Sequence, residues 1–193
     1  LTLERANHDV SMWGHDATYT ASIGASRQNP RYLANVTLPD PIRVSSDAAL
    51  VLDRAEVILV AVPTQHIRSV LSGMLDSLGG DVPIVSLAKG LEQATSMRPS
   101  EIIAEVVASK ARAFALSGPS HAEEIAHGQP TTVVVAGDGD AAPTRLPMAL
   151  PPGRLRVYRN ADILGVELCG ALKSVNALEA GSADGLGDGE KGK

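Results

Sequence analysis

One alternation constrains this chain more than any other feature of it. Six short apolar runs, at residues 10–13, 57–62, 83–87, 113–116, 131–136 and 155–158, are separated by stretches at 67–78, 100–110 and 122–127 whose apolar residues recur at helical spacing. The runs read as apolar on both faces rather than at every second residue, which predicts buried strands. Strands that alternate with helices predict an α/β fold with a doubly wound parallel sheet, because each crossover packs right-handed back onto the sheet. With 193 residues, 44% of them hydrophobic, the chain is long enough for one well-buried core, hiding roughly 70% of its unfolded surface.

The pattern weakens toward the C-terminus. A crossover helix is expected over 138–153, but Pro143, Pro147, Pro151 and Pro152 fall there, and an interior proline costs about 3 kcal/mol, so a short or broken helix is predicted. After the last strand Asn160 or Asp162 can cap a helix from Ile163 to about residue 180, with Gly181 ending it. The closing GSADGLGDGEKGK reads as a flexible tail.

Charge and cysteine content narrow the partners. A net charge of −5 offers no basic face to displace counterions from nucleic acid or an anionic membrane, so a small-molecule partner is favoured. Cys169 is the single cysteine, which rules out an internal disulfide, gives no Cys-rich metal site and makes the cytoplasm the expected compartment. The longest apolar run, 57–62, is far short of the roughly 18 residues needed to span a bilayer. The opening LTLERANHDV reads as the tail of a helix entering a strand, so a preceding segment is expected to be missing.

In doubly wound sheets ligands lie beyond the carboxyl ends of the strands. Three candidate segments follow strands: Trp13-Gly14-His15-Asp16, Ala88-Lys89-Gly90 and Ser117-Gly118-Pro119-Ser120-His121-Ala122. A dinucleotide domain normally opens on strand, G-x-G-x-x-G and helix, with an acid ending its second strand; neither signal is present. His15 stands where that acid is expected, which removes the repulsion against a 2'-phosphate and favours NADPH or dual use; the alternative is a solvent-facing loop histidine. Lys89, followed by the conformationally free Gly90, is placed to meet a phosphate or carbonyl oxygen, or is a surface lysine. Ser120 is expected to cap the next helix with Glu123 as its capping-box partner, leaving amides that suit an anion.

In GVELCGALKSV, Val166, Cys169 and Lys173 share a stripe, with Leu168, Leu172 and Val175 as the adjacent buried face. Gly165 and Gly170 permit close approach to another element. Lys173 is then either a snorkelling surface residue or, partly buried beside Lys89, an acid or base near neutrality.

Taken in order, HDVSMWGHD, NPRYLANVTLP, VAVPTQHIRSVL, LAKGLE, SGPSHAEEIAHGQPT, LRVYRNADILGVELCGALKSV and ADGLGDGEKGK resemble the bacterial-type NAD(P)-dependent glycerol-3-phosphate dehydrogenase family, collinearly over almost the whole chain. The resemblance implies a Rossmann-like nucleotide domain over 1–160 and the start of a helical substrate domain over 161–193. It implies an oxidoreductase that interconverts dihydroxyacetone phosphate and sn-glycerol 3-phosphate with NADPH or NADH, feeding glycerophospholipid synthesis, with a homodimer as the form of the complete parent. Lys173 falls at the family's proton donor and acceptor; Lys89 at the lysine touching both substrate and cofactor; Gly118 and Ser120 at substrate contacts; His15 and Ala122 at cofactor contacts. No metal is implied.

The chain also departs from the family. The glycine-rich loop and first strand are expected before Leu1, and most of the helical domain, with its phosphate-binding arginine, after Lys193, so this chain is expected to be inactive alone. Ser174 stands where the family has asparagine, and Asp188-Gly189-Glu190-Lys191 replaces a DNAK pattern. Two alternatives stay open: a β-hydroxyacid dehydrogenase, which would want asparagine where Ala177 stands, and a non-catalytic nucleotide-binding or interaction module.

Overall fold

The computed structural model describes residues 1–109, 113–137 and 155–186. All six expected strands form, embedded in a longer series: β1 (Ser11–Trp13), α1 (Ala17–Ser26), β2 (Gln28–Asn29), β3 (Leu33–Thr37), β4 (Arg43–Ser45), α2 (Ala48–Leu52), β5 (Ile58–Val60), α3 (Thr64–Ser72), β6 (Ile84–Ser86), α4 (Pro99–Val106), β7 (Ala113–Ser117), α5 (Ala122–Ala126), β8 (Thr131–Ala136), β9 (Leu155–Asn160) and α6 (Ile163–Leu186). The main sheet runs β5-β6-β7-β8-β9, and β1 pairs with β4 in a separate parallel pair.

Alternation along the strands builds two apolar layers. On one face Val60, Ile84 and Ala113 pack against Ile67 and Leu71 of α3 and Ile102 and Ile103 of α4. On the other, Val85, Phe114 and Val135 make a second buried cluster. The start of α6 joins through Ile163, packed with Ala115 and Ala136, and is tied to the N-terminus of α4 by the buried carboxylate of Glu167.

The doubly wound α/β class is as expected, and the sheet departs from all-parallel at one joint. Strands β5, β6 and β7 are parallel, as are β8 and β9, but β7 and β8 are antiparallel, with Leu116 opposite Val135. The intervening α5 has five residues, about 7.5 Å of helix, against the roughly 17 Å of a five-residue strand. It is too short to carry the chain back to the start of β7, so the chain turns at Gly118 and returns antiparallel.

Three local expectations are corrected. First, α6 does not end at Gly181 but runs through Gly181 and Gly185 to Leu186. A glycine stops a helix by turning left-handed, and neither glycine has a positive φ, so the first residues of the supposed tail are helical. Second, Leu168, Leu172 and Val175 are exposed; the face of α6 on the sheet carries Ile163, Val166, Glu167 and Gly170. Third, Ser120 does not cap α5, whose N-cap position is His121. One residue too early to reach the free amides, its hydroxyl turns back toward the Gly118 carbonyl at 3.4 Å. Both proposed caps of α6 act, in series: Asn160 Oδ1 accepts from the Asp162 amide and Asp162 Oδ1 from the Gly165 amide. The proline-rich 138–153 lies outside the described residues.

Candidate functional site

Strands β6 and β7 are parallel neighbours, so the loops that leave Ser86 and Ser117 open onto the same edge. There the Lys89 ammonium donates to the Gly118 carbonyl at 3.4 Å, a long bond. Gly118 has φ 155°, and a Cβ on it would stand 2.7 Å from the Thr132 carbonyl oxygen and 3.0 Å from Val133 Cα. Only glycine lets β7 turn this close to the backbone of β8.

Helix α6 closes over the same edge. A Cβ on Gly170 would stand 3.1 Å from Ser117 Oγ and 3.8 Å from Lys89 Cγ, so the helix lies close against both residues here. Lys173 follows one i+3 step along that ridge, about 4.5 Å farther on, and is exposed. Burial, and secondly the positive charge of Lys173, hold the Lys89 amine below the usual lysine range. Two cations therefore share one sheet edge. The side chain of Ser174 lies outside the described residues.

The other candidates are less tightly gathered. His15 is exposed on the loop between β1 and α1, on the two-stranded sheet rather than the one bearing Lys89. Its neighbour Asp16 caps α1 by accepting from the Tyr19 amide at 2.9 Å. A Cβ on Gly14 would meet the Thr20 hydroxyl, so this strand-to-helix turn is closely packed. Ala122 is exposed at the first position of α5.

The sequence reading missed the braces on the Lys89 loop. Buried Thr64, opening α3, donates its hydroxyl to the Lys89 carbonyl at 2.8 Å. Gln65 next to it donates to the Leu91 carbonyl at 2.8 Å and accepts from the Gln93 amide at 2.9 Å. One turn on, Arg68 forks onto both oxygens of Glu92 at 3.0 and 2.9 Å and reaches Glu105 at 2.9 Å. The Arg68 hydrogen bond, helped by the Thr95 hydroxyl, holds the Glu92 carboxyl below its usual range. The visible signal was TQHIR directly after a strand: three polar side chains facing the next strand's loop.

The family described as the NAD-dependent glycerol-3-phosphate dehydrogenase N-terminus matches residues 1–142. The chain belongs to that family. It is 41% identical over 186 residues to the glycerol-3-phosphate dehydrogenase [NAD(P)+] of Chlorobium phaeobacteroides (strain BS1), covering 95% of this chain and 56% of the relative. To the protein of the same name from Bacillus pumilus it is 40% identical over 195 residues, covering 100% and 56%. The crystal structure of glycerol-3-phosphate dehydrogenase from Coxiella burnetii superposes with a TM-score of 0.86 at 30% identity, over 99% of this chain and 58% of that one. The chain thus spans a little over half the length of these relatives, and the family match ends before β9 and α6. Among the described residues no helix is long and apolar enough to cross a membrane.

Proposed function

We propose that this chain is the nucleotide-binding part, residues 1–160, and the start of the helical substrate domain, residues 161–193, of an enzyme that interconverts dihydroxyacetone phosphate and sn-glycerol 3-phosphate. The cofactor is NADPH or NADH, the compartment the cytoplasm, the complete enzyme a homodimer, and the product feeds glycerophospholipid synthesis. The observation that carries the reading is the convergence of Lys89, Gly118 and α6 with Lys173 on one sheet edge, in a chain of this family.

The donor set suits the ligands. Two cations beside a glycine-shaped turn match a phosphorylated ketone and the diphosphate of a dinucleotide, and His15, Lys89 and Ala122 are the residues that would hold the cofactor. When bound, the nicotinamide supplies the hydride that adds to the ketone carbon. Lys173, protonated, donates its proton to the ketone oxygen as negative charge develops there, and takes it back in the reverse direction. Lys89, held by Thr64 through its carbonyl, orients the substrate oxygen and keeps positive potential at the site. Gly118 and Ser120 line the substrate side. The exposed Leu164, Leu168, Leu172 and Val175 of α6 form an apolar face of the kind a helical domain would cover.

The test uses a protein of the relatives' full length bearing these residues. Lys173→Ala should lower turnover about 10²-fold or more with a smaller effect on cofactor affinity, and Lys89→Ala should weaken both ligands along with the rate. Near-native turnover of the Lys173→Ala enzyme would overturn the reading.

A further inference from the structure

A helix whose N-cap residue is arginine lacks its own acceptor for the first free amides. Helix α4 begins this way: Arg98 is the N-cap, Pro99 has no amide proton, and Ser100 carries the first N–H in need of a partner. The acceptor comes from 67 positions away. Glu167 of α6 accepts from the Ser100 amide at 2.8 Å through Oε1, and through Oε2 from the Ser100 hydroxyl at 2.6 Å and Arg98 Nη1 at 2.7 Å. Its side chain is 4% exposed. Burial works against the charge on Arg98, and Glu101 and Glu167 together outweigh it, raising its pKa. The carboxylate also lies at the positive end of the α4 dipole.

The same helix bears Gly170 and Lys173. Glu167, Gly170 and Lys173 are successive i+3 positions on one ridge, and Gly170 is the point where α6 touches Ser117 and Lys89. A helix pinned at one residue and seated at the next has neither rotation nor register left to choose, since a slip of one residue turns it by about 100° and shifts it about 1.5 Å. The exposed leucines of α6 give no competing anchor among the described residues; Ile163 and Val166, packed with Ala115 and Ala136, seat the same face as Glu167.

We propose that Glu167 is a positioning residue for this site: by capping α4 from α6 it sets the rotation and register of α6, and so fixes where Lys173 stands relative to Lys89. This rests on the reading of Lys173 and Lys89 as the working pair, and adds a residue that touches neither substrate nor cofactor.

The test reads the pair directly in the chain itself. With lysines labelled with carbon-13, the Lys89 Cε resonance, assigned by its loss in Lys89→Arg, is followed against pH. Native Lys89 titrates below an ordinary lysine, and Lys173→Met moves its midpoint upward. Glu167→Ala should move it upward by a comparable amount, because α6 no longer holds Lys173 and the helix cover in place. Glu167→Gln, whose amide oxygen still accepts the Ser100 N–H, should fall between. Circular dichroism monitors folding; should Glu167→Ala not fold, Glu167→Gln and Ser100→Ala carry the comparison, each with a smaller upward move.

A Lys89 midpoint unchanged in the folded Glu167 variants overturns the proposal, and so does a midpoint indifferent to Lys173→Met, since no pair would then exist to align. In an enzyme of full length, Glu167→Gln should lower kcat several-fold while the cofactor KM stays put. The catalytic reading fails separately: if Lys173→Ala keeps its turnover, the proton donor is wrong while the titrations still report whether Glu167 places α6.

Discussion

Gly118→Ala is the substitution whose cost is most directly readable from the structure. The new methyl would lie 2.7 Å from the Thr132 carbonyl oxygen and 3.0 Å from Val133 Cα, both backbone atoms of a strand paired on both sides. Neither can rotate away as a side chain tip would, and Val133 is 2% exposed. Overpacking of this kind costs about 1–3 kcal/mol, and a non-glycine residue held at φ 155° adds about 1–3 kcal/mol of backbone strain. Relaxation is shared between the two, so a loss of about 2–4 kcal/mol is expected. For a chain of this size that lowers Tm by roughly 5–15 °C. Urea unfolding should show a lower midpoint at unchanged slope. Gly181→Ala is the matched control: nothing lies within 4 Å of its added methyl, and within α6 the change should increase helicity, with a gain of up to about 1 kcal/mol. If Gly118→Ala unfolded within about 0.5 kcal/mol of the native chain, typical of a neutral surface change, the close approach of β7 to β8 would be wrong.

Three further outcomes are expected. Ile102→Ala, at a fully buried position between α3 and the sheet, should cost about 2–5 kcal/mol in the same assay, and a smaller loss would mean that the layer is not tightly packed. Glu92 titrates in the folded chain below its unfolded value because of Arg68. Its contribution is therefore complete above the unfolded value of about 4.3 and lost as pH falls through the folded one; Glu92→Gln should be less stable at pH 7, with the gap to native closing in acid, and a gap that stays constant would count against the Arg68 fork. Lys89 is also depressed, but as a cation. Folding penalises its charged form at neutral pH, and stability recovers as pH rises from the folded toward the unfolded value of about 10.4. Lys89→Met should thus be more stable than native at pH 7 by urea unfolding, the advantage shrinking in alkali; a less stable variant at pH 7 would contradict the cost assigned to this cation.

Legibility depended on the range of the interactions. Strands such as 57–62 and 113–116 were readable because an uninterrupted apolar run has one common use in an α/β chain. Helix α1 was not readable: ATYTASIGAS has no apolar stripe, and it is held by the Asp16 cap at one end and a left-handed Arg27 at the other. The β2–β3 hairpin was hidden for a similar reason, since Gln28–Asn29 is too short to show a period. On the site, Lys89 and Gly118 could be picked out as residues just beyond adjacent buried runs, and Gly170 of α6 as a point of close approach, whereas Gly165, also expected to be one, faces only Asp162 of its own cap.

By itself the sequence determined the α/β class, the strand-end placement of Lys89 and Gly118, the two caps of α6 and the family pattern, all of which depend on neighbours within a few residues. Only the tertiary structure decided the antiparallel joint of β7 and β8, the face of α6 that turns inward, the Thr64 and Gln65 braces on the Lys89 loop and the capping of α4 by Glu167. A helix with leucines on one side and Ile163, Val166, Glu167 and Gly170 on another has two candidate inner faces. Hydrophobicity favours the leucines. What turns the other face inward is the seat of Ile163 and Val166 on Ala115 and Ala136, together with an amide at the start of α4, 67 residues earlier in the chain, whose need for an acceptor inside the fold no local spacing can express.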